Sequence, residues 1–535
     1  MAVPNKAVII GGGFGGLGSA ALLAKAGYDV ELFEKNEQLG GRAGQFRVGQ
    51  DKNGNWKDLD TFNGSHAAGI SSSSSKEIFT FDSGPSWYLM PDVFEHFFSL
   101  LGENIHDHIT LEKLTPSYKV FFKDTGKQAT IYSDLSKDLA TFEKLEPGSA
   151  TQLKKYLQKA ESQYAIAKDR FMYKNYDSFR DFFTPEMIVQ GSKLSVLSNM
   201  DRYVSKFFKT DYTKKIMQYP LVFLGASPYN APAIYNIMSH VDFNQGVYYP
   251  QGGMYELTKA LVAVATKHGA KLHTNTPITH IRVKDKSVSR IHVGDRVVEA
   301  DIFINNADMR HTDASLIGPQ DATRPLKKWD SMTTAPGALL LYLGVKGQYK
   351  NLEHHNLVFS KNWDHNFEQI FDHPTIPDDP SFYVCNPSKT DSTVAPNGYE
   401  NLFVLVPLPS KLDMQEIKLN EQVYADTILR TMEQEMNLPD LRKNIVYKRL
   451  FSNLNFFERF NSQNGSALGF AHTLKQTAIF RPNNQSKAIK NMIYVGANTN
   501  PGIGLPTTLI SAELMFKRLI GDTSSGPLRP EQIHV

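Results

Sequence analysis

The feature that most constrains the fold is a glycine-rich stretch near the start of the chain, VIIGGGFGGLGSAALLAKAG, from Val8 to Gly27. A short apolar run, Lys6–Ile10, leads into the glycines, and a run rich in alanine and leucine, Leu17–Ala26, follows them. The next segment, Tyr28–Phe33, alternates β-branched or aromatic residues with polar ones. This order predicts strand, glycine turn, helix and strand, the right-handed βαβ unit that opens a doubly wound parallel sheet.

The spacing inside the turn indicates what it binds. Gly11, Gly13 and Gly16 have the G-x-G-x-x-G spacing, in which the glycines allow a tight turn and let a pyrophosphate approach the helix N-terminus. Glu34 stands 23 positions after Gly11, at the end of the second predicted strand, where a carboxylate accepts hydrogen bonds from a ribose. The turn therefore predicts a dinucleotide site.

A second glycine pair follows soon after this carboxylate. In EKNEQLGGRAG, Gly40 and Gly41 allow close approach to the other half of a long dinucleotide, and Arg42 offsets phosphate charge. A plain NAD dehydrogenase has no need of this second motif. The pattern favours FAD.

The composition of the chain argues against a nucleic acid partner, a disulfide and a metal site. Lys and Arg exceed Asp and Glu by only 58 to 55, so the net charge of +3 predicts no nucleic acid partner. The single cysteine, Cys385, excludes an intramolecular disulfide and a cysteine-rich metal site, and its neighbours predict a strand that runs into a turn. His354, His355, His365 and His373 lack the spacing of a zinc motif, so we expect no metal.

The rest of the chain divides by pattern. A helix and strand at Gly252–Ile278, a strand at Asp301–Asp308, and a strand and helix at Asn491–Leu519 are predicted to complete the sheet, whereas Thr279–Ala300 alternates like a small antiparallel meander. We expect an α/β fold with a discontinuous, Rossmann-like FAD-binding domain, a β-sheet substrate lobe and a helical cap. The predicted boundaries are 1–110 plus 246–325 plus 480–520 for the FAD-binding domain, 111–138 plus 326–479 for the substrate domain, and 139–245 for the cap or membrane-associated region.

Two segments are expected to be flexible. Gln50–Glu77 interrupts a predicted hairpin from GQFRV to IFTFD and is interpreted as a surface insertion. The tail, residues 521–535, is rich in turn-forming residues. The longest apolar runs, such as Gly337–Val345, are far shorter than the roughly 20 residues of a spanning helix, so no transmembrane segment is expected.

Several stretches together resemble one enzyme family. The glycine turn, Glu34, GGRAG and FDSGPSWYLMP (Phe81–Pro91) are similar to the shared fingerprint of the flavin amine oxidase and phytoene desaturase superfamily. Tyr248–Leu261, Leu352–Pro409 and Gly465–Pro506 resemble the carotenoid desaturases of bacterial and fungal type more than the amine oxidases. These stretches span nearly the whole chain.

The resemblance implies a set of FAD-binding residues. They are Gly11, Gly13, Phe14, Gly16, Glu34, Lys35, Gly41 and Arg42 around the ADP half, and Ser83, Gly84, Pro85, Ser86, Gly496, Ala497, Gly504, Leu505 and Pro506 along the flavin and ribityl part.

The resemblance also implies catalytic candidates in the cap. An Arg-Asp pair common in the family is matched by Arg180 and Asp181, with Asp181 as a candidate base and an ion pair of the two residues as the alternative. A further arginine of some members is replaced by Thr184, and Asn500 stands where members commonly have histidine, so roles that rest on those residues do not transfer.

The implied activity is FAD-dependent dehydrogenation of a long apolar polyene, by hydride transfer to flavin N5, from phytoene toward neurosporene or lycopene. Reduced flavin would pass electrons to oxygen or a quinone, and the location would be cytoplasmic with peripheral attachment to a membrane surface. Three alternatives stay open: a later-pathway or C30 diapophytoene desaturase, a flavin amine oxidase, and a non-enzymatic prenyl-binding carrier. Whether the chain forms a homo-oligomer is also open.

One cap segment has two interpretations. Lys206–Lys215 (KFFKTDYTKK) interleaves lysines with aromatic residues, as a membrane-surface segment would. The same pattern is typical of an amphipathic helix whose aromatic residues face the protein core.

Overall fold

The computed structural model describes residues 5–60, 77–178 and 198–534. The strands in these residues are β1 (Lys6–Ile10), β2 (Asp29–Phe33), β3 (Gln45–Gln50), β4 (Trp56–Asp58), β5 (Ile78–Asp82), β6 (Leu111–Lys113), β7 (Tyr118–Phe122), β8 (Gln128–Ile131), β9 (Tyr248–Pro250), β10 (Lys271–His273), β11 (Ile278–Lys284), β12 (Ser287–Val293), β13 (Arg296–Val298), β14 (Ile302–Asn305), β15 (Gly337–Lys346), β16 (His355–Phe359), β17 (Phe382–Cys385), β18 (Tyr399–Leu408), β19 (Ile445–Phe451) and β20 (Met492–Tyr494).

The longer helices in these residues are α1 (Phe14–Lys25), α2 (Pro91–Leu100), α3 (Leu135–Leu145), α4 (Ser149–Ala167), α5 (Asp211–Gln218), α6 (Tyr255–Lys267), α7 (Met414–Glu435), α8 (Asn453–Phe460) and α9 (Leu505–Leu519). Short α-helices lie at Met200–Val204, Ile237–Ser239, Met309–His311, Leu326–Asp330, Trp363–Phe367 and Leu441–Asn444.

A five-stranded parallel sheet carries the glycine turn. Its spatial order is β10-β2-β1-β14-β20, and every neighbouring pair is parallel. If these five strands are numbered by their order in the sequence, their spatial order in the sheet is 3-2-1-4-5. Successive strands are therefore added on one side of β1 up to β10, and on the other side of β1 from β14 onward, which is a reversal of direction. In doubly wound sheets ligands bind beyond the carboxyl ends of the strands at such a reversal. The fold class predicted from the sequence is therefore confirmed.

The two faces of this sheet are covered differently. On one face α1 lies between α6 and α9, and their apolar residues share one buried cluster with β1 and β2. On the other face the antiparallel meander β11-β12-β13 packs with Phe303 and Trp329 in a second cluster. The meander predicted from the alternating pattern is confirmed, and it takes the place of a second helical layer.

A seven-stranded mixed sheet forms the second lobe, in the order β19-β15-β18-β17-β16-β7-β8. One face packs against α7 through Leu339, Val404 and neighbouring aliphatic residues. The opposite face, which includes Tyr342, Tyr383 and Cys385, joins an aromatic-rich cluster with the cap helices and the β3–β5 hairpin. Successive side chains of each strand point to opposite faces of the sheet, so neighbouring residues belong to different clusters. This is expected for strands that are buried on both sides.

Parts of the two segments that were expected to be flexible pack against the rest of the protein. Within the insertion, Trp56–Asp58 forms strand β4 beside β3, while residues 61–76 lie outside the described residues. In the tail, Leu528 and Ile533 are buried in the cluster around α1 and α9, and Lys517 Nζ donates to the carbonyl oxygens of Ser524 (2.8 Å) and Gly526 (2.7 Å). These apolar anchors hold a segment whose composition alone indicates a loop.

Candidate active site

The glycine turn between β1 and α1 forms a cradle without side chains. Gly11 has a φ of +94°, and Gly13 caps α1 without any side-chain hydrogen bond to the helix. A Cβ atom on Gly16 would lie 2.1 Å from the Gly11 carbonyl oxygen, so only glycine lets α1 begin this close to β1. Phe14, the first residue of α1, is buried. The uncapped N–H groups of the first turn suit an anion.

Glu34 ends β2 beside this turn. One of its carboxylate oxygens accepts a hydrogen bond from the Gly12 N–H at 2.7 Å, and the other accepts from Asn36 N at 2.9 Å. The buried carboxylate is thereby held at the carboxyl edge of the sheet, where a ribose would bind. Lys35 instead directs its Nζ to the Glu458 carbonyl oxygen at 3.1 Å. Burial lowers the pKa of Lys35, and the neighbouring Glu34 charge opposes that shift.

The Gly40–Gly41 pair contacts the glycine turn between β1 and α1. Gly40 N donates to the Gly12 carbonyl oxygen at 2.8 Å, and a Cβ on Gly41 would lie 3.2 Å from Gly13 Cα. Arg42 follows them, with one terminal nitrogen on Ser462 Oγ at 3.0 Å. Its Nε is buried and has no hydrogen-bond partner within residues 5–60, 77–178 and 198–534. An unpaired buried guanidinium N–H beside an uncapped helix N-terminus fits the phosphates of FAD.

Ser83 to Ser86 connect this loop to the seven-stranded sheet. Ser83 Oγ donates to the Arg42 carbonyl oxygen at 3.0 Å, and the Ser83 carbonyl oxygen accepts from Tyr342 OH at 2.7 Å. Ser86 Oγ accepts from Tyr383 OH at 2.9 Å. Pro85 lies between them in the chain. This segment therefore lies where the two lobes meet.

A small cavity opens beside the segment. Its lining residues are Thr80, Asp82, Gly84, Ser86, Tyr249, Cys385, Pro387, Asn401 and Phe403. Asp82 is held there by Met254 N at 2.7 Å and Tyr255 N at 3.1 Å, at the start of α6. Burial raises the pKa of Asp82 to about 7, and those two hydrogen bonds oppose the shift.

Asn306, just after β14, lies between the glycine turn and Gly496, two parts of the site that are far apart in the sequence. Its Nδ2 donates to the Gly11 carbonyl oxygen at 3.2 Å, and Cβ atoms added to Gly15 or Gly496 would lie 2.8 or 2.7 Å from its Oδ1. Gly496 N donates in turn to Ser511 Oγ at 2.9 Å in α9. The sequence analysis missed Asn306, although its position directly after a predicted sheet strand, in INNAD, was the available signal.

The C-terminal residues of the predicted set surround the start of α9. Gly504 has a φ of +127° and caps the helix, which begins at Leu505 and Pro506. The Ala497 carbonyl oxygen accepts a hydrogen bond from Arg481 Nη2 at 2.5 Å. Gly496, which precedes Ala497, lies beside Asn306 and the Gly15 backbone.

A buried histidine missed by the sequence analysis supports the same loop. His472 Nε2 accepts from Ile503 N at 3.1 Å, while Nδ1 lies 2.5 Å from Tyr235 OH of the cap. A Cβ on Gly502 would lie 2.2 Å from this ring. Burial holds the pKa of His472 well below its usual value, so the ring is neutral. Arg180, Asp181 and Thr184 lie outside the described residues.

A sequence profile described as "Flavin containing amine oxidoreductase" matches residues 14–514. The chain is 41% identical to the carotenoid 3,4-desaturase of Haloarcula japonica over 96% of this chain and 98% of the relative. It is 33% identical to the zeta-carotene-forming phytoene desaturase of Myxococcus xanthus, over 96% and 94% of the two chains. It is 30% identical to a 4,4'-diapophytoene desaturase of Staphylococcus haemolyticus, over 97% and 99%. The chain belongs to the carotenoid desaturases of this flavin family.

Membership makes the protein an FAD-dependent oxidoreductase that acts on CH–CH bonds. Among solved structures, an oxidoreductase from Methanosarcina mazei superimposes with a TM-score of 0.59 at 16% identity, over 96% of this chain and 100% of that one. The RAB GDI of Plasmodium falciparum superimposes with a TM-score of 0.53 at 10% identity, over 99% and 100%. At these identities the likeness shows the fold alone.

The described residues also bear on membrane contact. None of their helices is both long and apolar enough to cross a bilayer. In the lysine-aromatic segment, Phe208 is fully buried, and Phe207 and Tyr212 pack against the aromatic cluster. Lys215 Nζ also points inward and donates to the Ser360 carbonyl oxygen at 2.8 Å. These contacts favour the core-facing interpretation of this segment.

Proposed function

We propose that the protein removes hydrogen stepwise from phytoene, a long polyene precursor, toward neurosporene or lycopene. The observation that carries this proposal is the similarity over nearly the whole chain to carotenoid desaturases, one of them a phytoene desaturase at 33% identity. Bound FAD supplies a hydride acceptor for breaking a C–H bond. The glycine cradle, Glu34 and Arg42 would hold its nucleotide end, and Ser83–Ser86 with Gly496–Pro506 would hold the flavin end.

The aromatic cluster between the sheet and the cap supports an apolar substrate. Trp87 stacks on His355 with ring centroids 4.1 Å apart, and Tyr118 and Tyr219 lie 5.3 Å from each other in the same cluster. Such rings exclude water from a hydrocarbon chain and from the reacting carbon atoms. Removal of hydride next to a growing polyene leaves a charge that the conjugated system spreads. Asp181, with Arg180, is the candidate to accept the remaining proton.

A second candidate substrate is a carotenoid later in desaturation. The higher identity to a carotenoid 3,4-desaturase, 41% against 33%, favours it. Substrates of either kind are bilayer-soluble, so we infer that the protein works at a membrane surface. Oxygen or a quinone would reoxidise the flavin.

Expression of the full chain in two bacterial hosts, one accumulating phytoene and the other lycopene, tests both candidates. Chromatography with absorption spectra would show phytoene converted to longer-wavelength carotenoids if the first candidate holds, and lycopene converted if the second does. The R42M variant should lower conversion through weaker FAD binding, and the surface variant R47M should not. Unchanged pigments in both hosts, with FAD present in the purified protein, would refute the proposed activity.

A further inference from the structure

Two adjacent histidines and the single cysteine meet on the cavity-facing side of the seven-stranded sheet. His355 and Cys385 are directly opposite each other in the antiparallel pair β16–β17. His354 immediately precedes β16, and its ring centroid lies 4.5 Å from that of His355. All three side chains are buried, and one ligand atom from each lies within 4.8 Å of the others.

In both histidine rings, Nδ1 lies within hydrogen-bond distance of a hydroxyl group, and Nε2 is in a different situation. His354 Nδ1 lies 2.7 Å from Thr390 Oγ1, and His355 Nδ1 lies 2.7 Å from Tyr383 OH. The Nε2 atoms of both rings are buried and have no hydrogen-bond partner among the residues that the structure describes. A buried polar atom without a partner costs free energy unless a ligand satisfies it.

Both histidines can adopt the tautomer that metal binding needs. When His355 Nδ1 carries the proton, it donates to Tyr383 OH, whose own proton goes to Ser86 Oγ at 2.9 Å. When His354 Nδ1 carries the proton, it donates to Thr390 Oγ1, which lies 3.4 Å from the Pro387 carbonyl oxygen as its own acceptor. In this tautomer each Nε2 carries a lone pair. This arrangement, with Nδ1 fixed by an oxygen and Nε2 free, is the one that metal-binding histidines adopt.

We propose that His354 Nε2, His355 Nε2 and Cys385 Sγ bind one zinc ion and leave its fourth coordination position open. Bond lengths of about 2.0–2.1 Å to nitrogen and 2.3 Å to sulfur place tetrahedral ligand atoms roughly 3.3–3.7 Å apart. The three ligand atoms lie within 4.8 Å of one another, so binding of the ion would draw them closer by up to about 1.5 Å. The Cys385 thiol releases its proton to solvent as the thiolate binds, and nothing is oxidised or reduced.

A carboxylate lies near one end of the cluster. Asp391 accepts a hydrogen bond from Tyr249 OH at 3.2 Å, and the Tyr249 ring centroid lies 4.6 Å from that of His354. Cys385 also borders the cavity that contains Gly84 and Ser86, which provides an entry path for the ion. The sequence spacing predicted no metal, because only the pairing of β16 with β17 brings Cys385 to the histidines.

Cobalt(II) titration of the chelator-treated, flavin-loaded full chain tests the site. Tetrahedral cobalt has d–d bands at longer wavelengths than flavin absorbs, so we expect these bands to saturate at one equivalent and to disappear when zinc is added. C385S and H354Q should each weaken cobalt binding by at least about tenfold. H373Q, which changes an exposed histidine, should leave binding unchanged.

A second measurement does not depend on how well the variants fold. X-ray absorption of zinc bound to the wild-type protein should show one sulfur and two imidazole nitrogens in the first shell. Failure to bind one equivalent, or a first shell without sulfur, would overturn the proposal. Neither readout depends on desaturase activity, so the metal site and the proposed function fail or hold separately.

Discussion

Arg42 is the residue whose surroundings most directly call for a ligand. Its guanidinium lies 5.4 Å from the Phe460 ring and donates a hydrogen bond to Ser462 Oγ, yet Nε has no partner in the described part of the chain. Burial lowers the pKa of Arg42, and the nearby Asp308 carboxyl group opposes that shift. A buried cation is stable only when it is paired or hydrogen-bonded. The phosphates of FAD would complete its set of partners.

Replacing Arg42 by methionine should weaken FAD binding by about 10- to 100-fold, the effect of losing one charge-assisted hydrogen bond of roughly 1.5–3 kcal/mol. The measurement is the dissociation constant of FAD from quenching of flavin fluorescence. R47M is the matched control, because Arg47 pairs with Asp60 at 2.8 Å on an exposed face of β3. Equal FAD affinity in R42M and wild type would contradict the assignment of Arg42 to the cofactor.

In the βαβ unit, the same glycine residues determine how closely α1 packs against β1 and how closely the cofactor can approach. The Gly16 Cα faces the Gly11 carbonyl oxygen across the turn, and Asn306 closes the turn from β14. Any side chain at Gly16 pushes α1 away from β1. Because the N-terminus of α1 also faces the expected pyrophosphate, such a shift affects stability and cofactor binding together.

G16A should therefore lower the free energy of unfolding by about 1–3 kcal/mol, as overpacking does, and also weaken FAD binding. Denaturant unfolding and FAD titration check the two effects. The control is G526A, since an added Cβ there has only the Asp169 carbonyl oxygen near it, at 4.0 Å. A G16A protein as stable as G526A would show that α1 tolerates the displacement.

Local patterns predicted the elements of this unit well, because strand, turn and helix signals lie within a few residues of one another. Strand β1 is Lys6–Ile10 as predicted, and helix α9, Leu505–Leu519, ends where the predicted strand and helix at Asn491–Leu519 end. Non-local contacts were missed. The register that sets Cys385 opposite His355 and the burial of Leu528 both depend on parts of the chain that no sequence period connects.

At the scale of the whole molecule, buried polar contacts tie the cap to the seven-stranded sheet. Tyr118 of β7 and Tyr219 of the cap both donate to the same oxygen of Asp242, each at 2.8 Å. Burial raises the pKa of Asp242 to about 7; the two tyrosine hydrogen bonds oppose this shift, and the nearby Asp138 adds to it. The carboxyl group is thus protonated in the folded protein at pH values where it is ionised in the unfolded chain.

This shift fixes the sign of a pH effect on stability. An unfolded aspartic acid ionises near pH 4 and the folded Asp242 near 7, so between these values the folded state binds more protons. The free energy of unfolding must then fall as the pH rises from about 4 to 7, by at most about 1.4 kcal/mol per pH unit for this one group, and level off above.

The D242N variant keeps an oxygen for the two tyrosines but cannot ionise, so its loss of stability between pH 5 and 8 should be smaller than that of the wild type. Asp82, whose pKa burial raises to about 7, still contributes, so the dependence should shrink and not vanish. The midpoint of thermal unfolding at several pH values is the measurement. D330N, at an exposed carboxylate that pairs with Arg310, should follow the wild-type curve. If D242N follows it too, Asp242 does not carry the pH dependence.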